Sequence, residues 1–409
     1  MARSAMTMGT GGKIAEHLSV GVLAQIYPWE RVAAVLRQTE RESERVRDLP
    51  AEVVTYYVMG LGLFMAVSTR EVLRVLVEGL QWLGAAGPAT PVKVASKAAI
   101  SQARTRLGAD PLKRLWEETS QPLAQAGTAG AFYRGLRLVA IDGTTLDVPD
   151  TKANADRFGK PGASRGRAAF PQVRLVGLVE TGAHALVAAA MGPYKTSEQT
   201  LAKEVIPKLA ADMLCLADRL FPSFSLWQLA GKTGAQLLWR VRANYRLPVE
   251  TALPDGSYRS TFYASTGDQR RKTNGVRVRV IEYTLENQAA GETYRLMTTL
   301  LDPTEAPAAE LAALYPERWE MEGVLDELKT HLRGGQLVVL RSKTPALVEQ
   351  EIYGLLLAHR AVRTLMSRAA QGAHLDPDRL SFTHSVRVLR RKLASPPAFP
   401  PSVGGALAE

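Results

Sequence analysis

The sequence predicts an α/β protein: an all-helical N-terminal domain, then a mixed sheet flanked by helices and carrying a β-rich insertion. Three observations predict it. Apolar residues recur at helical spacing up to residue 130. From Gly135 onward, short apolar runs of strand character alternate with helical segments. Between residues 235 and 303, strand-like segments follow one another across turn-rich pieces with no clear helix among them. At ~150 residues per domain, 409 residues make roughly two to three domains. A composition of 46% hydrophobic and 22% charged residues excludes a disordered or collagen-like chain.

Residues 1–13 contain Arg3 but no apolar run of the kind a signal peptide needs. Apolar periodicity then places helices over 14–26, 32–46, 53–67, 72–83, 96–107 and 111–124, punctuated by Pro28, Pro50, Pro88 and Pro91. Residues 53–69 carry no charge, yet they are shorter than the ~20 residues of a membrane span and include Tyr56, Tyr57 and two glycines. A buried core helix is expected there. Gly127 and Gly130 close this domain, 1–130.

Residues 136–141 form a nearly continuous apolar run, as in a strand buried on both faces, and stop at Asp142-Gly143. Segments 173–179 and 184–191 read as a hairpin around Thr181-Gly182. Residues 197–211 read as a helix with Glu198 near its start, where the helix dipole favours an acid. A second buried run, 213–217, stops at Asp218, and 223–233 is helical again. Strand-like segments 237–243, 258–263, 276–285 and 293–301 make an antiparallel block, with turns such as Pro254-Asp255-Gly256-Ser257 between them. Residues 308–331 are helical with a break near Pro316, and 344–370 form a long apolar helix. The expected domains are 1–130, a core over 131–370 with the insertion at 235–303, and a basic C-terminal region 371–409 whose Pro-rich tail is disordered from Ser395.

One cysteine, Cys215, excludes an intramolecular disulfide framework and a cysteine zinc cluster, and suits a reducing cytoplasm. The net charge of +11 favours a polyanionic partner such as nucleic acid, although a basic soluble enzyme would carry it too. The positive charge is clustered in three stretches without an acid: Arg157, Lys160, Arg165, Arg167 and Arg174; Arg270, Arg271, Lys272, Arg277 and Arg279; and Arg387, Arg390, Arg391 and Lys392.

Two aspartates at the ends of buried strands are held by a rigid sheet while their heads reach solvent, a common place for chemistry, although an Asp at a strand end is also an ordinary turn. A third element follows at residues 315–329. Read as an α-helix, its steps of 3, 4 and 7 place Tyr315, Arg318, Glu322 and Lys329 on one face, with Asp326 beside them. Trp319, Leu325 and Leu328 lie toward the other side as anchors, and Trp319 is also suited to stacking on a base. The alternative is a solvated face with an Arg318–Glu322 ion pair. Three convergent carboxylates are the ligands a hard divalent cation prefers. Two such ions ~3.5–4 Å apart serve both the attacking and the leaving oxygen of a phosphodiester.

Together these motifs resemble the DDE transposases of bacterial insertion sequences, specifically the insertion-sequence-four family that includes Tn-five-type transposases. The matching residues are Asp142-Gly143-Thr144; Pro149-Asp150-Thr151 with Asn154 and Phe158-Gly159; Ala217-Asp218-Arg219; and Tyr315, Arg318, Glu322 and Lys329 in the spacing Tyr-x2-Arg-x3-Glu-x6-Lys. Pro222, soon after the second aspartate, departs from the usual pattern.

The resemblance implies an RNase H-like catalytic core. It implies Asp142, Asp218 and Glu322 as catalytic residues and ligands of two Mg²⁺ ions, for which Mn²⁺ substitutes. It implies Tyr315, Arg318 and Lys329 as the grip on the transposon-end strand, with Trp319, Arg240 and Arg242 also facing DNA. Cleavage at transposon ends and strand transfer to target DNA follow, in a homodimer formed with or without DNA. Residues 1–130 would bind the ends, in a bacterial cytoplasm at the nucleoid. A non-catalytic DNA-binding regulator derived from a transposase, or a metal-dependent nuclease without strand transfer, would share much of this sequence.

Overall fold

The computed structural model describes residues 21–43, 49–81, 94–163, 166–167, 169–284, 293–332 and 339–393. The expected disordered tail, residues 1–20 and Arg165 lie outside the described residues. The chain forms two compact units: Met1–Gln121 with Leu146–Gln172 and Asp326–Glu409, and Pro122–Thr145 with Val173–Leu325.

The first unit is helical. Its N-terminal helices are α1 (Gly21–Ile26), α2 (Trp29–Gln38), α3 (Ala51–Leu63), α4 (Thr69–Gln81), α5 (Lys97–Leu107) and α6 (Asp110–Thr119). Every residue of α3 but Glu52 is buried, as its uncharged sequence predicts. Among the described residues no helix is long and apolar enough to cross a membrane. The partner of α3 is α13 (Pro345–Ala373), from the other end of the sequence. Glycines bring the two backbones together: a Cβ at Gly354 would stand 2.6 Å from the Val58 carbonyl oxygen, and one at Gly62 would stand 3.1 Å from Leu355 Cα.

The segment 149–159 is scaffold within this unit. Thr151 caps α7 (Lys152–Phe158), and the fully buried Asn154 donates to the carbonyls of Pro149 and Ser342 at 3.1 Å each. A small hairpin pairs β3 (Gly162–Ala163) with β4 (Gly166–Arg167). The last helix, α14 (Phe382–Leu393), keeps Arg387 and Arg391 exposed, while Arg390 turns inward to the carbonyls of Leu63 and Leu332.

The second unit is built on one sheet. Its strands are β1 (Phe132–Tyr133), β2 (Leu136–Asp147), β5 (Gln172–Glu180), β6 (Ala185–Pro193), β7 (Met213–Ala217), β8 (Gln236–Arg240), β9 (Thr251–Ala252), β10 (Tyr258–Phe262), β11 (Val276–Thr284) and β12 (Thr293–Thr298). They lie in the order β6-β5-β2-β7-β8-β12-β11-β10-β9, with β1 beside β2. β5 and β6 form the expected hairpin, and β2, β7 and β8 are parallel neighbours. Helices α8 (Glu198–Val205) and α9 (Phe224–Gly231) cover the face that Val139, Ile141, Cys215 and Ala217 share.

Three expectations need correction here. β2 does not stop at Asp142 but runs on to Asp147, because only its β7 ladder ends at Ile141. The first insertion segment is β8, a parallel core strand, and the antiparallel block β12-β11-β10-β9 extends the same sheet from it. A short helix, α10 (Thr266–Arg271), capped by Ser265, interrupts that block.

Candidate active site

Register fixes the first two acids. Ile141 pairs with Ala217, and Ala217 pairs with Trp239. Asp142, Asp218 and Arg240 therefore come next in line on three adjacent parallel strands, which lie ~4.8 Å apart. Asp218 and Arg240 stand at the carboxyl ends of β7 and β8, the usual ligand position of open α/β sheets, and Asp142 stands beside them where β2 leaves its β7 ladder. Side chains alternate along a strand, so Asp142 faces away from the α8 side to which Val139 and Ile141 point.

The third acid arrives on a helical segment that is not one uniform α-helix. After α11 (Ala308–Leu314), residues Tyr315–Trp319 wind tightly as a 3₁₀ turn, α12 (Glu320–Asp326) follows, and Glu327–His331 opens into a π-turn. Pro316 thus tightens the helix and does not break it. The expected single stripe holds from Arg318 to Glu322 and fails beyond. Lys329 sits half-buried in the π-turn, among the residues of the first unit. A π-turn has more residues per turn than an α-helix, so a step of seven no longer returns to the same face.

Arg318 joins two of the acids. Its Nη1 is 3.4 Å from Asp142 Oδ2 and its Nη2 is 3.3 Å from Glu322 Oε1. Arg318 is only 6% exposed, and its buried Nε has no hydrogen-bond partner. Asp142 Oδ1 also accepts the Gly143 N–H at 2.7 Å, and Asp218 Oδ1 accepts the Leu220 N–H at 2.8 Å. The three carboxylates do not all lie within 4.8 Å of one another, and the Arg318 guanidinium stands between Asp142 and Glu322. Burial pushes the Asp142 carboxyl up to about 6, the charges of Asp218 and Glu198 push the same way, and the Gly143 N–H and Arg318 oppose them.

The remaining expected residues separate. Tyr315 is buried and its hydroxyl donates to the Ala217 carbonyl at 3.2 Å, so it ties the helix to the end of β7 and does not face solvent as a phosphate ligand must. Burial lifts that hydroxyl above the ordinary tyrosine range. Trp319 is 54% exposed, which overturns its reading as a core anchor, and Arg318 stacks over its ring at 4.8 Å. Leu325 and Leu328 are buried as expected.

Arg240 lies over the Tyr294 ring at 3.8 Å, and Tyr294 stacks on Tyr283 across β11 and β12. Arg242 is exposed and donates from Nε to the Arg219 carbonyl at 3.2 Å. Beyond it opens a cavity of about 540 Å³ lined by Arg242, Asn244, Arg246, Phe262 and Tyr263 among others.

The basic runs are acid-free in sequence only. Arg157 pairs with Glu349, Lys160 with Asp150 and Arg174 with Glu198. Arg279 is fully buried beside Asp255. Sequence reasoning saw Glu198 only as a helix-start acid and missed its place beside Gly143.

Family models match in the same places. The insertion element 4 transposase N-terminal model covers residues 17–117 and the transposase DDE domain covers 133–360. The transposase InsG for insertion sequence element IS4 of Escherichia coli (strain K12) is 33% identical over 375 residues, covering 89% of this chain and 80% of that protein. The putative transposase InsZ of the same organism is 29% identical over 226 residues, 55% of this chain and 72% of that one. A piggyBac transposase in a synaptic complex with hairpin DNA aligns over 96% of this chain and 82% of its own, at 12% identity and a TM-score of 0.47. A DDE domain implies dependence on a divalent metal. With an RNase H-like core and both domain models in the family's order, the chain belongs to the insertion element 4 family of DDE transposases, enzymes of bacterial insertion sequences.

Proposed function

We propose that this transposase cuts at the ends of its element and joins them to target DNA with Asp142, Asp218 and Glu322 as the ligands of two Mg²⁺ ions. The observation that carries the reading is the register that sets Asp142 and Asp218 side by side, with Glu322 joined to Asp142 through Arg318. The donor set fits such ions: three carboxylates, all hard oxygen ligands. When bound, the pair of ions activates the attacking oxygen and stabilises the leaving 3′-oxygen.

The protein residues supply the rest. Asp142 and Asp218 hold fixed positions on the sheet, and Glu322 comes from a helix tethered by Tyr315. Arg318 balances Asp142 and Glu322, and its planar guanidinium has the fork geometry that suits a phosphate. Exposed Trp319 stacks on a base of the end strand, while Arg240, Arg242 and Lys329 contact the backbone. Two ends need two active sites, so the working form is a homodimer on DNA. The helices of residues 21–119 bind the terminal repeats, in the bacterial cytoplasm.

The test uses purified protein, DNA carrying the inverted repeats that flank the gene, and Mg²⁺ or Mn²⁺. Wild type cleaves and joins, and Asp142→Asn, Asp218→Asn and Glu322→Gln bind the ends without cutting. Cleavage retained in these variants refutes the assignment. End binding without cleavage by the intact protein makes it a regulator, and cleavage without joining makes it a nuclease.

A further inference from the structure

A fourth acid touches β2 where that strand leaves β7. Glu198 opens α8, whose Leu201, Ala202 and Val205 pack on the sheet face shared by Val139 and Ile141. Alternation puts Gly143 on that same face, opposite Asp142. The Glu198 side chain lies over the glycine so closely that a Cβ at residue 143 would stand 2.7 Å from Cγ and Cδ and 2.8 Å from Oε1.

Arg174 on β5 holds the carboxyl there. Its Nη1 donates to Glu198 Oε1 at 2.8 Å, its Nε donates to the Tyr194 carbonyl at 3.2 Å, and its guanidinium stacks over the Tyr194 ring at 5.2 Å. Each side chain of the pair is 20% exposed. The β2–β7 ladder ends at Ile141 and Ala217, so no β7 partner holds the backbone of Asp142 and Gly143. Arg318 takes hold of Asp142 from one face of the strand, and Glu198 presses on Gly143 from the other.

We propose that Glu198, pinned by Arg174, is a positioning residue that walls β2 at Gly143 and thereby aims Asp142 at the cation site. The inference rests on the reading of Asp142 as a metal ligand. It gives Gly143 a reason in close approach: a methyl there drives the Glu198 carboxyl away and breaks its bond to Arg174.

Mn²⁺ binding to the full chain, followed by electron paramagnetic resonance, tests this alongside thermal melts. Wild type is compared with Glu198→Ala, Gly143→Ala, the double variant and Asp142→Asn. Glu198→Ala should weaken binding by about tenfold, the low end of what a residue supporting a ligand is worth, with the fold intact. Gly143→Ala should cost a similar factor because it evicts the same carboxyl. The double variant should bind no more weakly than the worse single variant, since the new methyl occupies the space that Glu198 leaves.

Binding by Glu198→Ala within about twofold of wild type, or losses that multiply in the double variant, overturns the proposal. So does a loss in Glu198→Ala as complete as in Asp142→Asn, which would make Glu198 a ligand. If Asp142→Asn alone leaves Mn²⁺ binding unchanged, the reading of the site fails first, and that result is told apart by the silence of the Asp142 variant.

Discussion

Replacing Arg279 by methionine should unfold the sheet unit at a lower temperature and leave DNA binding untouched. Arg279 lies fully buried on β11, on the face away from Val278 and Val280, under the segments 255–257 and 300–306. Its Nε donates to Ser257 Oγ at 2.8 Å, its Nη1 to the carbonyls of Ala306 at 2.6 Å and Leu300 at 3.3 Å, and its Nη2 pairs with Asp255. Removing one partner of a buried ion pair costs about 3–5 kcal/mol. Asp255 keeps 22% of its side-chain exposure and still accepts the N–H groups of Ser257 and Ala308. The lower end, about 3 kcal/mol, is therefore expected. In a unit of this size each kcal/mol lowers Tm by about 2–4 °C, so the unit should melt about 6–12 °C earlier.

Calorimetry reads the melt, and binding to end DNA across a salt series reads the contacts. Arg277→Ala is the matched control: two residues earlier on the same strand, exposed, and without a buried partner to orphan. It should leave stability within about 0.5 kcal/mol. If Arg277 meets a phosphate, its loss lowers the salt slope by about 0.9. A methionine at 279 that melts like wild type while flattening the salt slope would refute the burial reasoning.

Two further outcomes follow from particular positions. Because burial raises the Asp142 carboxyl to about 6, Mn²⁺ must displace its proton below that pH. Affinity should fall about tenfold from pH 7 to pH 5 in a metal titration, and a flat profile would contradict it. The same raised value means that, from this group, the metal-free fold gains stability as pH drops through 6 toward the ordinary carboxylate range. Gly354→Ala should destabilise the helical unit by about 1–3 kcal/mol in urea unfolding, since its methyl meets the Val58 backbone oxygen. Gly372→Ala, with open space around it, should gain about 0.5–1 kcal/mol, and equal effects at the two sites would dismiss the close α3–α13 approach.

The acids of the site were legible because each stands in a linear pattern: an apolar run that stops at Asp142, another that stops at Asp218, and helical spacing to Glu322. What covers each face was not legible. Val276 to Val280 alternates Val and Arg, which reads as one wet face, and nothing local says that distant loops roof over Arg279 while leaving Arg277 bare. The basic runs look unopposed because Glu349, Asp150 and Glu198, which meet them, are remote in sequence or stand outside the run. The π-turn is likewise a tertiary result. Glu327 is buried there, pairs with His359 and accepts from Arg363 Nε at 2.9 Å, and those partners lie a helix away.

The pairing of α3 with α13 also constrains how the chain is made. Leu63 leaves the ribosome well before Pro345 is added. At ~5–20 residues per second the delay is about 15–55 s. Throughout it α3, apolar on nearly every side, lacks the surface that finally covers it. Nascent chains halted between these helices should be caught by chaperones or proteases, and synthesis speed over this interval becomes a control on how much transposase matures.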